Sequence, residues 1–404
     1  MSREVRSSPE SVRAEILRSI EPLPPASVPL ADAAGLILAE PVLTPSDLPR
    51  FDNAAMDGFA VLASDTIASP SRLRLVGSAA AGTPTVLRVE TGQAVAISTG
   101  AVLPRGADAI VPLEETQIAG GHLLLKRPAE PGQYVRRAGE DLRTGDLLLP
   151  AGRELGPGQL AAMAAVGANS ALVQPRPRVA IVPTGDEVRL PGEVLGAGQV
   201  YDAVTIPLLA LIEEVGATGR GQPVAPDDPA SLRRAVRAAA EEADAILTVG
   251  GVSVGRRDLI ATLGRPGEVR VYRLALRPAK PFAFGAVFGV PLFGLPGNPA
   301  SALVAFEELV RPALLLMMGK APTVRASLRA TLFEPIPRVP GQLHMVRVGL
   351  WHEGGKVWAR PAGLQGAGII HSLARADGWA VVPSGRSPLP AGARVDVRPL
   401  RNFP

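Results

Sequence analysis

The hydrophobic pattern of this chain changes several times between its N-terminus and its C-terminus. The stretch SPESVRAEILRSIEPL (8–23) has apolar residues at helical spacing after a Ser-x-x-Glu-like start, which predicts an amphipathic helix. A second helical segment is predicted around 32–38, ending at a Pro-rich strand. From about 51 to 138, short alternating runs broken by Gly and Pro predict a small β-rich domain, and GPGQLAAMAAVGA (156–168) returns to a helical pattern.

Strand and helix patterns alternate from about 178 to 318. Buried strands are predicted at RVAIVP, DAILTV and VRVYRLAL, and helices at YDAVTIPLLALIEEVGA, DDPASLRRAVRAAAEEA and NPASALVAFEELVRPALLLMM. This alternation predicts an open, mostly parallel sheet with helices on both faces, and such sheets bind ligands beyond the carboxyl ends of their strands. After 324 the short strands and turns return.

The predicted fold class is therefore α/β multidomain, built around a central doubly wound, mostly parallel sheet. The chain is expected to divide into an elongated N-terminal helical and linker domain (1–50 plus 139–177), a small β-rich domain (51–138), an α/β domain (178–320) and a C-terminal β-barrel-like domain (321–404).

Composition limits the possible ligands and metals more than it limits the possible folds. The 404 residues carry a net charge of +4 with both signs spread along the chain, so we expect no nucleic-acid partner. There is no cysteine, and the four histidines have no metal-ligand spacing. A bound metal is therefore expected to be a hard ion on oxygen ligands, such as Mg²⁺.

The N-terminal sequence and the hydropathy bear on location. No apolar run of 18 residues escapes interruption by charge, Pro or Gly, so no membrane span is predicted. The first residues, MSREVRSSPESVRAEI, carry charges where a signal peptide needs its apolar region. A cytoplasmic location is expected.

Acidic residues lie near three strand ends, at one edge of the predicted sheet. PTGDEV supplies Asp186 and Glu187, PDDP supplies Asp227 and Asp228, and GGVSVGRRD supplies Ser253 and Asp258. Crowded carboxylates raise one another's pKa unless a cation or a basic partner lies nearby. A Mg²⁺ that bridges to a substrate phosphate fits such a cluster.

Basic groups follow just downstream. Arg273, Arg277 and Lys280 lie in YRLALRPAKPFAFG, where they could hold a tetrahedral oxyanion, and GLPGNPAS opens a helix whose N-terminus favours an anion. The glycine-rich stretch TVGGVSVGRRD (248–258) matches neither the phosphate-loop nor the dinucleotide-binding fingerprint.

Structural explanations compete with these functional ones. Asp228 has the position of a helix N-cap, Glu187 and Asp258 could be caps or surface residues, and Arg273 alternates along a strand edge. The glycines could serve only a tight turn, NPAS could be pure capping, and His371 and Ser372 could belong to an ordinary turn. In FDNAAMDGFAV, turn formation explains Asn53 and Gly58 but does not require both Asp52 and Asp57.

Seven motifs together resemble one family, the molybdopterin molybdenumtransferases, which include the bacterial MoeA proteins and the gephyrin E domain. In chain order these are DNAAMDGFAV, STGA, RRAGED, PTGDE, GGVSVGRRD, KPFAFG and GLPGNPASALVAFE. The resemblance covers essentially the whole chain. It implies an α/β domain of the molybdopterin-binding type and an enzyme that uses Mg²⁺ to insert molybdenum from molybdate into adenylylated molybdopterin, releasing AMP and active molybdenum cofactor.

The resemblance also implies roles for individual residues. Asp227 and Asp258 match metal ligands, and Glu187 matches a further active-site acid. Glycines 250, 251 and 255 would let the backbone approach the adenylate phosphate, with Ser253 beside them. The positions that match the substrate and molybdate pocket are Arg277, Lys280, Pro296, Pro299, Ser301, Arg347 and Ser372.

A homodimer with two composite sites is also implied. Asp57, Thr99, Arg136 and Asp141 match active-site positions that the partner subunit contributes in this family. Transient contacts with a molybdopterin adenylyltransferase and with recipient apo-molybdoenzymes follow from the same resemblance.

The chain departs from the family pattern at a few positions. Arg273 and Arg277 stand where relatives often have lysine, Ala279 stands where they often have glycine, and QLHMVR lacks the usual residues before Arg347.

Two other function classes stay open. One is a non-catalytic, gephyrin-like scaffold, which the lack of a long linker disfavours. The other is a generic nucleotide- or sugar-phosphate-binding enzyme.

Overall fold

The computed structural model describes residues 6–68, 71–83, 86–252, 259–265 and 267–400. These residues form two compact units, each with its own buried core. One unit contains the described residues up to Ala26, residues 35–37 and the described residues from Val173 onward, and the other contains 27–34 and the described part of 38–172.

The N-terminal helix α1 (Pro9–Ser19) confirms the first predicted element. Ser8 caps it, accepting the backbone N–H of Ser11 at 3.1 Å. Val12 and Ile16 are fully buried in the core of the first unit, as the helical spacing of apolar residues predicts. The second predicted helix, around 32–38, is wrong: a single 3₁₀ turn ends at Asp32 and a strand follows at Ile37, because Gly35 leaves the helical region at φ +73°.

The second unit is mostly short strands, in agreement with the predicted β-rich region. Six strands form its main sheet in the order β8-β5-β7-β6-β10-β9. The chain passes between the units four times: within β1, between Ala34 and Gly35, within β2 and within β13. The elements are β1 (Ala26–Pro29), a 3₁₀ turn (Leu30–Asp32), β2 (Ile37–Leu38), β3 (Val42–Leu43), β4 (Asn53–Ala54), β5 (Gly58–Val61), a 3₁₀ turn (Ala63–Thr66), β6 (Ser71–Ala79), β7 (Gln93–Ile97), β8 (Ala109–Pro112), a 3₁₀ turn (Leu113–Glu115), β9 (Thr116–Ala119), β10 (His122–Leu125), β11 (Val135–Arg136), β12 (Leu147–Leu149), α2 (Pro157–Ala165) and β13 (Ser170–Gln174).

The α/β part of the first unit contains a six-stranded sheet in the order β17-β14-β18-β22-β21-β19. The elements are β14 (Arg178–Pro183), β15 (Val188–Arg189), β16 (Val200–Tyr201), α3 (Thr205–Val215), β17 (Thr218–Gly221), α4 (Pro229–Ala240), β18 (Ala245–Val249), a 3₁₀ turn (Ile260–Thr262), β19 (Val269–Arg273), β20 (Leu276–Arg277), β21 (Pro281–Val287), β22 (Val290–Leu295), α5 (Pro299–Ala305), a π-helical segment (Phe306–Val310) and α6 (Arg311–Met317).

This sheet is mostly parallel and covered on both faces, as predicted. Strands β17, β14, β18 and β22 pair in parallel with one another, and β21 and β19 add an antiparallel edge next to β22. Along β14 the side chains alternate between two buried clusters: Val179 and Ile181 belong to one, and Ala180 and Val182 to the other. Continuous burial of this strand explains its unbroken apolar run in the sequence.

The C-terminal region is a closed five-stranded barrel, which confirms the predicted barrel-like domain. Its strands run β24-β25-β23-β27-β26, and β26 pairs back with β24. The elements are β23 (Leu328–Leu332), β24 (Leu343–Glu353), β25 (Lys356–Pro361), α7 (Ile370–Ala374), β26 (Gly378–Val382) and β27 (Arg394–Pro399).

The predicted single strand VRVYRLAL is divided in the structure. Its first part, β19, pairs in the α/β sheet, whereas β20 pairs in parallel with the start of β24, so that Arg277 lies opposite His344. The chain therefore leaves the α/β sheet and joins the barrel sheet within a few residues.

None of the helices in the described part of the chain has the length and hydropathy of a membrane span.

Candidate active site

A cavity of about 560 Å³ opens at the carboxyl edge of the α/β sheet. The turns after β14, β18 and β22 line it, together with the segment around Tyr201 and Asp227. Gly368 and Ile370, which follow the barrel strand β25, complete the wall. The cavity lies where open α/β sheets bind ligands, as the order of strands and helices predicts.

Two glycines after β18 bring backbone close to this cavity. Gly250 has φ +89° and Gly251 has φ +67°, and residues other than glycine rarely adopt this backbone conformation. A Cβ on Gly250 would lie 2.9 Å from both the carbonyl oxygen and the Oγ1 of Thr184. The turn therefore requires glycine for its conformation and for its close approach to the neighbouring strand end. Its other predicted residues, Ser253, Gly255 and Asp258, lie outside the described residues.

Three carboxylates meet at the same edge. The backbone N–H of Asp227 donates to Asp186 Oδ1 at 3.2 Å, and the N–H of Asp186 lies 3.4 Å from Asp227 Oδ2. Burial raises the pKa of Asp227, and the nearby carboxylates of Glu187 and Asp186 raise it further. Of these three, Glu187 and Asp227 line the cavity.

The neighbouring carboxylate, Asp228, has a structural role. Its Oδ1 accepts the backbone N–H groups of Ala230 at 3.0 Å and Ser231 at 2.8 Å, so it is the N-cap of α4. The sequence predicted this cap.

Among the described residues, no group of three or more His, Asp or Glu side chains is arranged to hold a metal ion. A Mg²⁺ site, which usually needs only one or two protein carboxylates, stays compatible with the donors at this edge.

Two residues of the cavity wall were not predicted from the sequence. Tyr201 and Asp202 line the cavity from the end of β16, inside a stretch whose apolar pattern predicts only a helix. Asp202 Oδ1 accepts the N–H groups of Val204 and Thr205 at 2.9 and 3.0 Å, and so caps α3. Its Oδ2 and the Thr184 hydroxyl are buried without a hydrogen-bond partner in the described structure. An Asp three residues before an apolar helix was the available signal.

Arg277 and Lys280 project from a tight turn between β20 and β21. The backbone N–H of Leu274 donates to the carbonyl of Lys280 at 2.7 Å and closes the turn. Ala279 has φ +85°, so it occupies a conformation suited to the glycine of the family pattern. Arg277 is exposed, and Lys280 is half-buried. The proximity of Arg273 lowers the pKa of Lys280, with burial and Arg6 as smaller causes.

The start of α5 presents the GNP turn to the cavity. Pro299 is the first helical residue and lines the cavity beside Asn298, whereas Pro296 is buried at the end of β22. Asn298 occupies the N-cap position, but its side chain makes no capping bond; its carbonyl accepts the N–H of Ser301 at 3.0 Å instead. Ser301 is 5% exposed and lies in the first turn of the helix.

The two C-terminal residues of the predicted pocket, Arg347 and Ser372, converge on one loop, residues 364–369. Arg347 is 1% exposed and donates to the carbonyls of Ile369 and Gly366 at 2.9 and 2.8 Å. The Ser372 hydroxyl donates to the Leu364 carbonyl at 2.6 Å. In this structure both side chains hold a loop that contributes Gly368 to the cavity wall. Direct contact of either residue with molybdate stays a prediction.

The predicted residues of the second unit cluster around one segment, residues 48–58. Asp57 Oδ1 accepts the backbone N–H of Thr99 at 2.6 Å and its hydroxyl at 2.9 Å, and these bonds lower the pKa of Asp57. Arg136 pairs with Asn53, and the N–H of Asp141 donates to the Leu48 carbonyl at 3.1 Å.

All four predicted residues of this cluster, Asp57, Thr99, Arg136 and Asp141, are exposed. Asp52, whose role the sequence left open, accepts from the Arg137 guanidinium at 2.7 Å and from the Ala138 N–H at 2.8 Å. It therefore holds the strand that carries Arg136.

Family models match three consecutive parts of the chain. They are described as the MoeA N-terminal region (domain I and II) over 7–167, a "Probable molybdopterin binding domain" over 180–315 and the MoeA C-terminal region (domain IV) over 329–400. Together they include both units of the structure.

Individual relatives match over nearly their whole length. Molybdopterin molybdenumtransferase 2 of Mycobacterium tuberculosis is 35% identical over 401 residues, covering 96% of this chain and 97% of the relative. Molybdopterin molybdenumtransferase of Haemophilus influenzae is 33% identical over 381 residues, covering 93% of each. The crystal structure of a molybdopterin biosynthesis MoeA protein from Pyrococcus horikosii is 35% identical with a TM-score of 0.83, covering 99% of this chain and 100% of that one.

Proposed function

This chain belongs to the molybdopterin molybdenumtransferase (MoeA) family of molybdenum cofactor biosynthesis, and from that premise we propose that it inserts molybdenum from molybdate into adenylylated molybdopterin and releases AMP. The observation that carries the proposal is the sheet edge, where one cavity combines a glycine turn with two carboxylates, Glu187 and Asp227. A glycine turn admits a phosphate closely, and the carboxylates suit the metal that phosphate chemistry needs.

The acidic side of the cavity is the proposed magnesium site. Burial, and then the nearby carboxylates, raise the pKa of Asp227 and so disfavour its charged form, and a divalent cation would relieve that cost. Asp227 and Asp258, the latter from the glycine-rich stretch 248–258, would hold Mg²⁺, with Glu187 as a further active-site acid. When bound, Mg²⁺ would neutralise charge on the pyrophosphate and polarise it toward attack by water.

The basic side of the site is the proposed molybdate pocket. Arg277 lies opposite His344 in the β20–β24 pair, and the pKa of His344 is lowered first by burial and then by Arg277 and Arg347. Arg347 in turn holds the loop that borders the cavity. Arg277 and Lys280 would supply the charge-assisted hydrogen bonds that orient a tetrahedral dianion.

The proposed reaction balances without a redox partner. Molybdenum stays in the hexavalent state, the two thiols of molybdopterin replace one oxo group, and one water leaves. Hydrolysis of the pyrophosphate consumes one water and separates AMP from the pterin phosphate. The protein would contribute positioning and electrostatics rather than a nucleophile. A molybdopterin adenylyltransferase would supply the substrate, and apo-molybdoenzymes would receive the product.

AMP release tests this proposal directly. Purified protein is incubated with adenylylated molybdopterin, and AMP is quantified with and without Mg²⁺ and molybdate. We expect release that depends on both. A wild-type protein that releases no AMP when both are present would contradict the proposal.

We also propose a homodimer in which Asp57, Thr99, Arg136 and Asp141 of one subunit complete the site of the other. These residues are exposed, yet hydrogen bonds and strand pairing around residues 48–58 hold them in place. The test mixes two inactive variants, Asp57→Ala and Asp227→Ala.

Random reassociation of these variants gives half heterodimers, each with one intact site, so about a quarter of wild-type turnover should return. If each site uses residues of a single subunit, each heterodimer has no intact site and no activity returns. Sedimentation velocity verifies that the mixed sample contains dimers.

A further inference from the structure

The segment before helix α1 is hydrogen-bonded to the strand that leads into the basic turn. Ser7 forms a parallel bridge with Leu274. Its N–H donates to the Arg273 carbonyl at 3.0 Å, and its carbonyl accepts the Ala275 N–H at 2.8 Å. Two bonds on consecutive peptide units define the register, so the position of Arg6 relative to Arg273 is set by backbone pairing.

The same strand also holds Lys280. The N–H of Leu274 donates to the Lys280 carbonyl at 2.7 Å, while Leu274 pairs on its other side with Ser7. Arg6 and Lys280 are therefore attached to the same short stretch of backbone. Every described charge that shifts the pKa of Lys280 is a cation: Arg273 lowers it most, and Arg6 also lowers it.

Three cations of this region have no acidic partner among the described residues. Arg6, Arg277 and Lys280 form no ion pair with another described residue. Grouped like charges oppose one another, so this arrangement costs free energy until an anion binds. Since Lys280 and Arg277 already belong to the proposed oxyanion pocket, a neighbouring arginine adds to the same field.

We propose that Arg6 is a further anion-binding residue of the active site, contributed by the N-terminal segment. This inference rests on the proposed function and extends its oxyanion pocket beyond the residues that the family motifs supply. The ligand chemistry is a tetrahedral dianionic oxyanion, which is either molybdate or the phosphate end of the adenylylated substrate. No motif in the sequence includes Arg6, and only the Ser7–Leu274 pairing reveals it.

Anion titrations test the role of Arg6 in binding. Isothermal titration calorimetry at low salt measures the affinities of molybdate and of AMP for wild type, Arg6→Ala, Arg6→Lys and the control Arg18→Ala. Arg18 is an exposed arginine in the last turn of α1. We expect Arg6→Ala to weaken one of the two anions by about 3- to 10-fold, with recovery in Arg6→Lys and a smaller effect at high salt.

Loss confined to molybdate assigns Arg6 to the molybdate end, and loss confined to AMP assigns it to the phosphate end. Unchanged affinity for both anions, or an equal loss in Arg18→Ala, overturns the proposal.

A second measurement tests the juxtaposition of Arg6 and Lys280 independently of any ligand. The chain has only four lysines, so acylation of Lys280 can be followed by peptide mass spectrometry, with Lys126, Lys320 and Lys356 as internal references. Removing the Arg6 charge should raise the pKa of Lys280, so Arg6→Ala should slow its acylation at pH 8–9 relative to the references. An unchanged ratio overturns the proposed cluster.

The proposed role of Arg6 and the proposed reaction can be disproved separately. If the wild-type enzyme releases AMP but Arg6→Ala changes neither the anion affinities nor the acylation of Lys280, only the role of Arg6 is disproved. A protein that binds the anions through Arg6 but releases no AMP disproves the proposed reaction.

Discussion

Asp186 and Asp227 bind each other's backbone at the carboxyl edge of the α/β sheet. Each accepts the other's backbone N–H, at 3.2 and 3.4 Å, although they lie 41 residues apart in the chain. This exchange ties the turn after β14 to the segment before α4 and brings two carboxylates together, with Glu187 close by. The protein thus uses backbone hydrogen bonds to keep repelling charges in one place.

Replacing Asp227 by Asn should separate stability from activity. The substitution removes one crowded charge, so thermal stability at pH 7 should rise, because a carboxyl group with a raised pKa in the folded state destabilises it above that pKa. AMP release should fall by at least about 100-fold if Asp227 binds the catalytic metal. Differential scanning fluorimetry and the AMP assay measure the two effects.

Asp228→Asn is the matched control for Asp227→Asn, since Asn also caps helices well and Asp228 only caps α4. Its AMP release should stay near wild type. Equal losses in the two variants would contradict a specific metal role for Asp227.

Gly250→Ala should lower the free energy of unfolding by more than an alanine at positive φ alone would. The new Cβ would meet Thr184 at 2.9 Å, and the residue would keep φ +89°. Gly198, in the same unit, has φ +81° with nothing near its Cβ, so Gly198→Ala isolates the conformational cost of about 1 kcal/mol. We expect a larger loss of unfolding free energy and a loss of substrate affinity in Gly250→Ala only. Similar urea midpoints and unchanged affinity would mean that close approach at this turn is unimportant.

Ala279→Gly should stabilise the protein. Ala279 is buried with φ +85°, and an L-residue in this region costs of the order of 1 kcal/mol or more. After the entropy that glycine adds to the unfolded chain is subtracted, we expect a gain of about 0.5 kcal/mol. Ala275→Gly, at an ordinary φ four residues earlier, should instead lose about 0.5–1 kcal/mol. A loss of the same size at Ala279 would argue against backbone strain in this turn.

His344 should make the protein less stable in mild acid. Burial lowers the pKa of His344 below the ordinary value of 6.5, and Arg277 and Arg347 lower it further. The unfolded chain therefore takes up a proton first, and stability is complete above pH 6.5 and falls as the pH drops toward the lower folded value. The urea midpoint should decrease from pH 7.5 to pH 5.5 in wild type and less so in His344→Gln. The exposed His352→Gln should retain the wild-type decrease; identical profiles for all three proteins would exclude His344 as the cause.

Much of this fold follows from local pattern. The unbroken apolar run of β14 and the N-cap at Asp228 are local signals, and both have the predicted form. The meeting of Asp186, Glu187 and Asp227 also follows, because parallel strands deliver their carboxyl ends to one edge. Gly35 shows the limit of periodicity: one residue at positive φ converts a helix-like pattern into a turn and a strand.

The features that could not be predicted depend on backbone partners from distant parts of the chain. Arg347 and Ser372 are polar residues whose acceptors are main-chain carbonyls of one loop, and a carbonyl leaves no mark in the sequence. The division between β19 and β20 depends on a pairing with β24 that no local pattern encodes. Arg6 reaches the basic turn through the Ser7–Leu274 bridge for the same reason.

We propose that this enzyme makes active molybdenum cofactor from molybdate and adenylylated molybdopterin. The most direct measurement adds the completed reaction to a molybdenum-free apo-molybdoenzyme and follows the activity that returns. Wild-type protein with Mg²⁺ and molybdate should restore activity in proportion to the AMP released, and Asp227→Asn should restore almost none. AMP release without any reconstituted activity, or equal reconstitution by Asp227→Asn, would contradict the proposal.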